Sequence, residues 1–158
     1  MHAEYIVNQA QRLVEAYGGR DPYDAVRQSG AIIKFKDLGT LKGAYFGNMD
    51  IPAIVINNSL DENIQKTVCA HELGHHILHK NQMLSCDIID LQNASILERE
   101  ANIFAAAFLI DTKKAISHLI EGDTISQTAA ELETDEQLLM FLLNSLKLTQ
   151  APDSTFLK

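Results

Sequence analysis

The residues best suited to chemistry in this chain form the stretch His71-Glu72-Leu73-Gly74-His75, which has the spacing H-E-x-x-H. Residues four apart lie on one face of a helix, so His71 and His75 can direct two imidazoles at one metal ion. Glu72, beside the first histidine, can take a proton from a water activated by that ion. The pattern indicates a metal-dependent peptidase, and a pair of hydrogen-bonded core histidines is the alternative.

The residues around this motif predict one long helix. Ser59 and Glu62 have the spacing of a capping box, which satisfies free N–H groups at a helix start. Apolar residues then recur at helical spacing, and we expect the helix to run from Leu60 to His79. Gly74 lies inside it and costs about 1 kcal/mol of helix propensity relative to alanine. Close approach by another backbone would explain this glycine.

Three residues near the motif are not predicted to be metal ligands. His79 lies about 12 Å along the helix axis from His71, and imidazole–zinc bonds are only about 2 Å long. We therefore expect His79 to pack on a ligand or to orient one. His76 is predicted to lie at the surface, and Cys69 in the core.

A catalytic zinc ion takes three protein ligands, and a second helix can supply the third. Residues 95–110 form a strongly helical, alanine-rich segment. Glu98 and Asn102 fall at the margin of its apolar stripe, whereas Glu100 points to the opposite side and is expected to meet water. Glu98 is thus the predicted third ligand, and Asn102 could orient a ligand through a hydrogen bond. The alternative is a capping box in which Ser95 engages Glu98 locally.

The two motifs together resemble the ImmA/IrrE family of metallopeptidases. The resemblance is carried by the H-E-x-x-H stretch with its trailing His79 and by the segment Glu98-Arg99-Glu100-Ala101-Asn102-Ile103-Phe104-Ala105, and it covers approximately residues 31–110. It implies a minimal gluzincin with metal ligands His71, His75 and Glu98 and the general base Glu72. It also implies cleavage of helix-turn-helix repressors that control mobile elements or stress genes. The chain departs from the family at Leu109-Ile110-Asp111, where a Leu-Met-Pro-like helix end is common.

The preceding residues predict an α+β fold, with a small antiparallel sheet packed against the zinc helix and the second ligand helix. A helix around Ile6–Tyr17 ends at Gly18-Gly19, and Asp21-Pro22 begins a short helix that ends near Gln28. Three short strands follow: Ala31–Lys36, Gly43–Gly47 and Pro52–Asn57. The segment Asn81–Asn93 has no clear period and is predicted to be a loop.

The third of these strands is the predicted substrate-binding element. Peptides often bind by adding a strand to a sheet edge, and Pro52 at a strand start is typical of an edge. Ile54, Val55 and Ile56 are therefore the candidate substrate-binding residues.

The residues beyond 110 predict a C-terminal helical subdomain of three helices. Asp111 can cap the first, Thr124 or Asp123 the second, and Thr134 with Gln137 the third. The last two helices have a helix-turn-helix outline. Four acidic residues, however, occupy the positions where a DNA reader would carry Arg or Lys: Glu131, Glu133, Asp135 and Glu136. A packing or docking role is favoured over DNA binding. We expect one domain over 1–149, with a catalytic core 1–110 and a helical subdomain 111–149, and a disordered tail 150–158.

The composition fits a cytoplasmic protein that acts on a protein partner. The net charge of −8 and the pI near 5.1 argue against direct nucleic-acid binding and against anionic membranes. An acidic body would suit a basic partner such as a DNA-binding repressor. Two cysteines give no disulfide framework, and we find neither a signal-peptide pattern nor an apolar run long enough to span a membrane.

These observations predict a metal-dependent endopeptidase that makes limited cuts in a helix-turn-helix repressor. Zinc suits a His–His–Glu ligand set, and manganese or iron are alternatives. The rival hypothesis is a metal-stabilised regulator that binds and sequesters the repressor without cutting it. Glu72 favours the enzyme, because a binding module has no use for a base at that position.

Overall fold

A computed structural model describes residues 1–80, 83–86 and 95–148. The chain divides into two compact units, Met1–Leu109 and Ile110–Lys158. In the first unit the described elements are α1 (Ala3–Tyr17), α2 (Pro22–Gln28), β1 (Ile32–Lys36), β2 (Gly43–Phe46), β3 (Ala53–Asn57), α3 (Glu62–Leu78), β4 (Met83–Cys86) and α4 (Ile96–Leu109). The single domain over 1–149 stays a prediction, and the predicted disordered tail lies outside the described residues.

The first two helices end where the sequence predicts, and α2 also begins there, whereas α1 begins at Ala3, three residues before the predicted Ile6. Gly18 closes α1 in the left-handed conformation, with φ of 78°, which glycine adopts without steric cost. The Asp21 side chain accepts a hydrogen bond from the Tyr23 amide, and Pro22 is the first helical residue of α2.

The predicted capping box of α3 is wrong. Asp61 is the cap, and its carboxylate accepts a hydrogen bond from the Ile64 amide. Ser59 instead binds the Asn57 side chain through both its amide and its hydroxyl. The tight turn after β3 thus uses Ser59 and delays the helix to Glu62.

The α+β class is confirmed, but the sheet is mixed rather than antiparallel. Its strand order is β1-β3-β2-β4. β1 pairs with β3 in parallel, whereas β2 pairs antiparallel with both β3 and β4. The connection from β2 to β3 is a short hairpin, and β1 lies on the far side of β3.

The prediction that β3 is an edge strand is wrong. Neighbours flank it on both sides, and all five of its residues are buried. Ile54, Val55 and Ile56 are therefore core residues, and their backbone has no free edge for a substrate strand. The continuous apolar run in this strand is typical of an interior strand covered on both faces. Pro52 precedes the ladder, and its carbonyl accepts a hydrogen bond from the Ile32 amide.

The segment predicted as a loop contains a fourth strand. β4 extends the sheet beyond β2, with Ser85 opposite Ala44 and Cys86 opposite Gly43. Four residues without alternation between apolar and polar types carry little strand signal. The rest of the predicted loop lies outside the described residues.

α3 and α4 pack closely at the glycine that the sequence singled out. A Cβ atom on Gly74 would lie 3.1 Å from the Ala101 carbonyl oxygen and 3.2 Å from the Ala101 Cα. The expected close backbone approach is thereby confirmed. α1 also packs against α4, so that residues 100–108 are buried, and Arg20 donates hydrogen bonds to the carbonyls of Ala107 and Phe108 near the helix end.

Up to residue 148, where the description of the second unit ends, it contains three helices, as predicted: α5 (Thr112–Ile120), α6 (Ile125–Glu131) and α7 (Glu136–Ser145). Asp111 caps α5, and Thr124 forms a capping box with Gln127 at the start of α6. The cap of α7 is Asp135 and not Thr134. Among the described residues, no helix is long and apolar enough to cross a membrane.

Candidate metal centre

α3 and α4 bring His71, His75 and Glu98 together. The Nε2 atom of His71 lies 3.0 Å from Glu98 Oε2, and that of His75 lies 3.0 Å from Glu98 Oε1. The two Nε2 atoms are 3.2 Å apart. Among the described residues, these three form a group in which each side chain offers one possible ligand atom to a metal ion. Both histidines are fully buried.

The dimensions of this cluster fit a metal ion. Bonds of about 2 Å in tetrahedral geometry separate ligand atoms by roughly 3.3 Å, close to the 3.2 Å between the two Nε2 atoms, and one ligand atom from each of the three residues lies within 4.8 Å of the others. His71 Nδ1 lies 2.8 Å from Asn102 Oδ1. An amide oxygen only accepts hydrogen bonds, so neutral His71 carries its proton on Nδ1 and directs the Nε2 lone pair at the cluster. A proton could satisfy one pair of these atoms, whereas a divalent cation satisfies all three.

The protonation states also suit a metal. Burial, the largest influence, lowers the pKa of His75, so the neutral form that can bind a metal is favoured. Burial acts to raise the pKa of Glu98, but hydrogen bonds from His71 and His75 outweigh it and bring that pKa to about 2. The cluster thus offers two imidazoles and one ionised carboxylate.

Glu98 is not used as a local helix cap. The Glu98 amide lies 3.4 Å from Ser95 Oγ, but the Glu98 carboxylate is directed at the two histidines. Its role as a metal ligand stays a prediction, and the geometry favours that role over the capping alternative.

Glu72 is fully buried beside the cluster. Neither of its carboxylate oxygens has a hydrogen-bond partner within the described part of the chain. Burial raises the pKa of Glu72 to about 8, with the charge of Glu98 adding to the shift and that of His71 opposing it. An uncompensated buried carboxylate is costly, which is the arrangement expected of a group held ready for proton transfer.

Gly43 is a residue of this site that the sequence reasoning missed. A Cβ atom at this position would lie 2.6 Å from Val68 Cγ1 and 2.9 Å from Glu72 Oε1. Only glycine lets β2 pass this close to the Glu72 carboxylate. A glycine at a strand position can mark such an approach, but the sequence does not reveal what approaches.

The structure bears out two of the predictions for the neighbouring residues and corrects two. Cys69 lies in the core, as expected. His79 contacts His75, with their Nδ1 atoms 2.9 Å apart, as expected of a residue that packs on a ligand. His76 is buried rather than at the surface, and its Nδ1 lies 3.1 Å from the Tyr45 hydroxyl. Glu100 is buried and binds His79 instead of meeting water, because α1 and the chain start cover that side of α4.

Comparisons with known proteins agree with this geometry. The family model of the IrrE N-terminal-like domain matches residues 26–142. The radiation response metalloprotease IrrE of Deinococcus radiodurans is 28% identical over 144 residues, which are 85% of this chain and 43% of that protein. The metallopeptidase ImmA of Bacillus subtilis is 28% identical over 133 residues, which are 79% of this chain and 76% of that protein.

The chain thus spans less than half the length of IrrE and about three quarters of ImmA. The family model covers most of the chain, including all of β1 to β3, α3 and α4. The chain belongs to the ImmA/IrrE family of metallopeptidases.

Proposed function

We propose that this protein is a metal-dependent endopeptidase that makes limited cuts in a helix-turn-helix repressor. One observation carries the proposal: three ligand atoms converge beside a buried glutamate whose oxygens have no hydrogen-bond partner among the described residues. A sequestering regulator would need the ligands but not Glu72. The same site therefore favours hydrolysis over simple binding.

Each residue has a distinct role in this proposal. His71, His75 and Glu98 hold the ion, and Asn102 fixes the ring of His71 through its Nδ1 atom. The ion would supply Lewis-acid chemistry for the scissile carbonyl and for the attacking water. Glu72 accepts a proton from that water and passes it to the nitrogen of the leaving amine. The products are a free carboxylate and a free amine.

Zinc is the metal we propose. Two imidazoles and one carboxylate with an open fourth position form a ligand set that catalytic zinc commonly takes. Manganese and iron accept the same ligands. Supplying each metal in turn to the metal-free protein would rank them by the cleavage rate that each restores.

The proposed substrate follows from the family and from the surface charge. IrrE is named for a radiation response, which is consistent with a regulatory rather than a digestive protease. In the second unit, Glu131, Glu133 and Glu136 are exposed around the α6–α7 turn. Repressors that bind DNA carry basic surfaces, so we propose this acidic turn as their docking site.

The corrected sheet order also suggests where the substrate backbone lies. Among the described strands, β1 and β4 are the edges of the sheet, and β4 places Cys86 opposite Gly43, the residue that meets Glu72. We propose that the substrate adds as a strand along β4. This replaces Ile54, Val55 and Ile56 as the proposed substrate contact.

Incubation of the protein with candidate helix-turn-helix repressors from the same genome, followed by intact-mass analysis, tests the proposal. We expect two fragments from one cut, formed with metal and blocked by a chelator. Casein should remain uncut in parallel. Stable association with a repressor that stays intact would favour the sequestering regulator, and degradation of casein would contradict narrow specificity.

A further inference from the structure

His75, His79 and Glu100 form a continuous hydrogen-bonded chain that leads away from the candidate metal centre. His79 follows His75 by one helical turn, and their Nδ1 atoms are 2.9 Å apart. The Nε2 atom of His79 lies 2.8 Å from Glu100 Oε2. His79 is 4% exposed and Glu100 is 6% exposed, so that solvent competes little with either hydrogen bond. Glu100 also pairs with the Met1 amino group.

The direction of each hydrogen bond follows from the role of His75. Its Nε2 atom faces His71 and Glu98, so a neutral His75 that binds metal there carries its proton on Nδ1. That proton can only be donated to the lone pair of His79 Nδ1. His79 must then carry its own proton on Nε2, where it donates to the Glu100 carboxylate.

We propose that His79 and Glu100 are positioning residues that fix the tautomer and ring plane of His75 and increase the electron density at its Nε2. The proposal rests on the metal site proposed above. Asn102 gives His71 a neutral amide partner, whereas His75 has an imidazole backed by a carboxylate. Hydrogen bonding of a ligand histidine to such a group makes the histidine a stronger donor to metal.

The role of the His79 side chain can be separated from that of its backbone. The His79 amide donates to the His75 carbonyl at 2.8 Å and closes α3. This bond persists when the side chain is replaced. A loss of metal affinity on substitution would therefore report on the imidazole and not on the helix end.

Zinc titration of the metal-depleted protein provides the first test. His79→Phe keeps an aromatic ring but removes both hydrogen bonds, and we expect about tenfold or greater weakening of zinc binding. His79→Gln can still accept from His75 and donate to Glu100, so it should recover part of that loss. The matched control is His76→Phe. It removes another buried histidine of α3, one that contacts the Tyr45 hydroxyl, and it should change zinc affinity by less than about twofold.

The tautomer of His75 in the metal-free protein provides a second readout that does not depend on zinc binding. Nitrogen-15 NMR should find a proton on His75 Nδ1 in the unchanged chain, and in His79→Phe it should find that position depleted of its proton in favour of Nε2, which faces Glu98. Glu100→Ala should shift the same equilibrium, and it decides the matter if His79→Phe does not fold.

A folded His79→Phe or Glu100→Ala protein with unchanged zinc affinity and an unchanged His75 tautomer would overturn the proposal that His79 and Glu100 position His75. Failure of the proposed function looks different. In that case the unchanged chain would not bind zinc, while the tautomer measurement would still show whether His79 and Glu100 control His75.

Discussion

The carboxylate of Glu72 is fully buried without a hydrogen-bond partner among the described residues, which destabilises the fold. Burial raises its pKa to about 8, so the metal-free protein keeps it protonated near neutral pH. A bound cation favours the ionised form of a neighbouring carboxylate. Metal binding would thus lower the pKa of Glu72 and convert it into a base.

The raised pKa predicts a pH dependence of stability in the metal-free protein. Between about pH 4.5 and about pH 8, unfolding releases the Glu72 proton, so the free energy of unfolding should fall as the pH rises. Glu72→Gln lacks this proton. The free energy of unfolding of Glu72→Gln, relative to that of the unchanged chain, should therefore rise by more than about 1 kcal/mol between pH 5 and pH 8. A pKa shift of less than one unit would suffice for this difference.

Urea unfolding in the presence of a chelator would measure this difference. Glu98, whose pKa is lowered to about 2, titrates below this pH window and leaves the comparison undisturbed. Glu4→Gln changes an exposed glutamate and serves as the control. Parallel stability curves for Glu72→Gln and the unchanged chain would contradict the assignment.

Gly43→Ala should harm catalysis through Glu72 as well as through packing. The new methyl group would meet both Val68 and the Glu72 carboxylate, and overpacking costs about 1–3 kcal/mol. We expect at least about a tenfold loss of cleavage rate with the metal retained. Adding Val68→Ala should recover stability but not activity, because the methyl group still lies against Glu72.

Thermal unfolding and cleavage rates of the single and double variants would test this. Full recovery of activity in the double variant would mean that Gly43 serves packing alone.

At the scale of elements, the sequence predicts the two site helices better than the sheet. The H-E-x-x-H spacing and the apolar stripe of α4 predict that His71, His75, Glu98 and Asn102 lie close together, as the structure has them, because helical periodicity is a local property. The same periodicity predicts that Glu100 faces solvent, yet Glu100 is buried because α1 covers it. Burial by a distant segment leaves no mark at the position that it covers.

The sheet errors have a similar cause. Strand order depends on pairings between distant segments, so neither the parallel β1–β3 pair nor the interior position of β3 can be read from local alternation. β4 is four residues long, too short for a periodic signal. The contact of Gly43 with Glu72 depends on that same tertiary arrangement.

The edge position of β4 predicts which strand meets the substrate. A photoreactive residue placed at Ser85 in a Glu72→Gln background should crosslink to a cleavable repressor. The same group at Lys34, on the opposite edge strand β1, is the matched control and should give little product. Mass spectrometry of the crosslinked peptides would identify the site, and equal crosslinking from both strands would argue against substrate addition at β4.

At the scale of the whole molecule, the net charge of −8 could attract a basic repressor by itself, without a docking surface at the α6–α7 turn. Two pairs of substitutions distinguish these cases. Glu131→Lys with Glu133→Lys removes the net negative charge of the exposed turn between α6 and α7, because the two lysines balance Asp135 and Glu136. Glu4→Lys with Glu15→Lys changes the net charge equally on α1, where both residues are also exposed. If the turn docks a basic repressor, the first pair should lower kcat/KM at least about fivefold and the second much less.

Steady-state cleavage at two ionic strengths would check this prediction, since added salt should shrink the difference. Zinc affinity should stay the same in both pairs. Equal losses from the two pairs would indicate overall attraction rather than a docking surface.

In the proposed site three residues hold a metal while a fourth, Glu72, moves the proton. Metal content and repressor cleavage, measured on the same samples of Glu72→Gln and Glu98→Ala, test it most directly. We predict that Glu72→Gln retains metal and loses cleavage by at least about a hundredfold, whereas Glu98→Ala loses at least about tenfold in metal affinity and loses cleavage with it. A Glu72→Gln protein that cuts at the normal rate, or a Glu98→Ala protein that binds metal normally, would contradict the account.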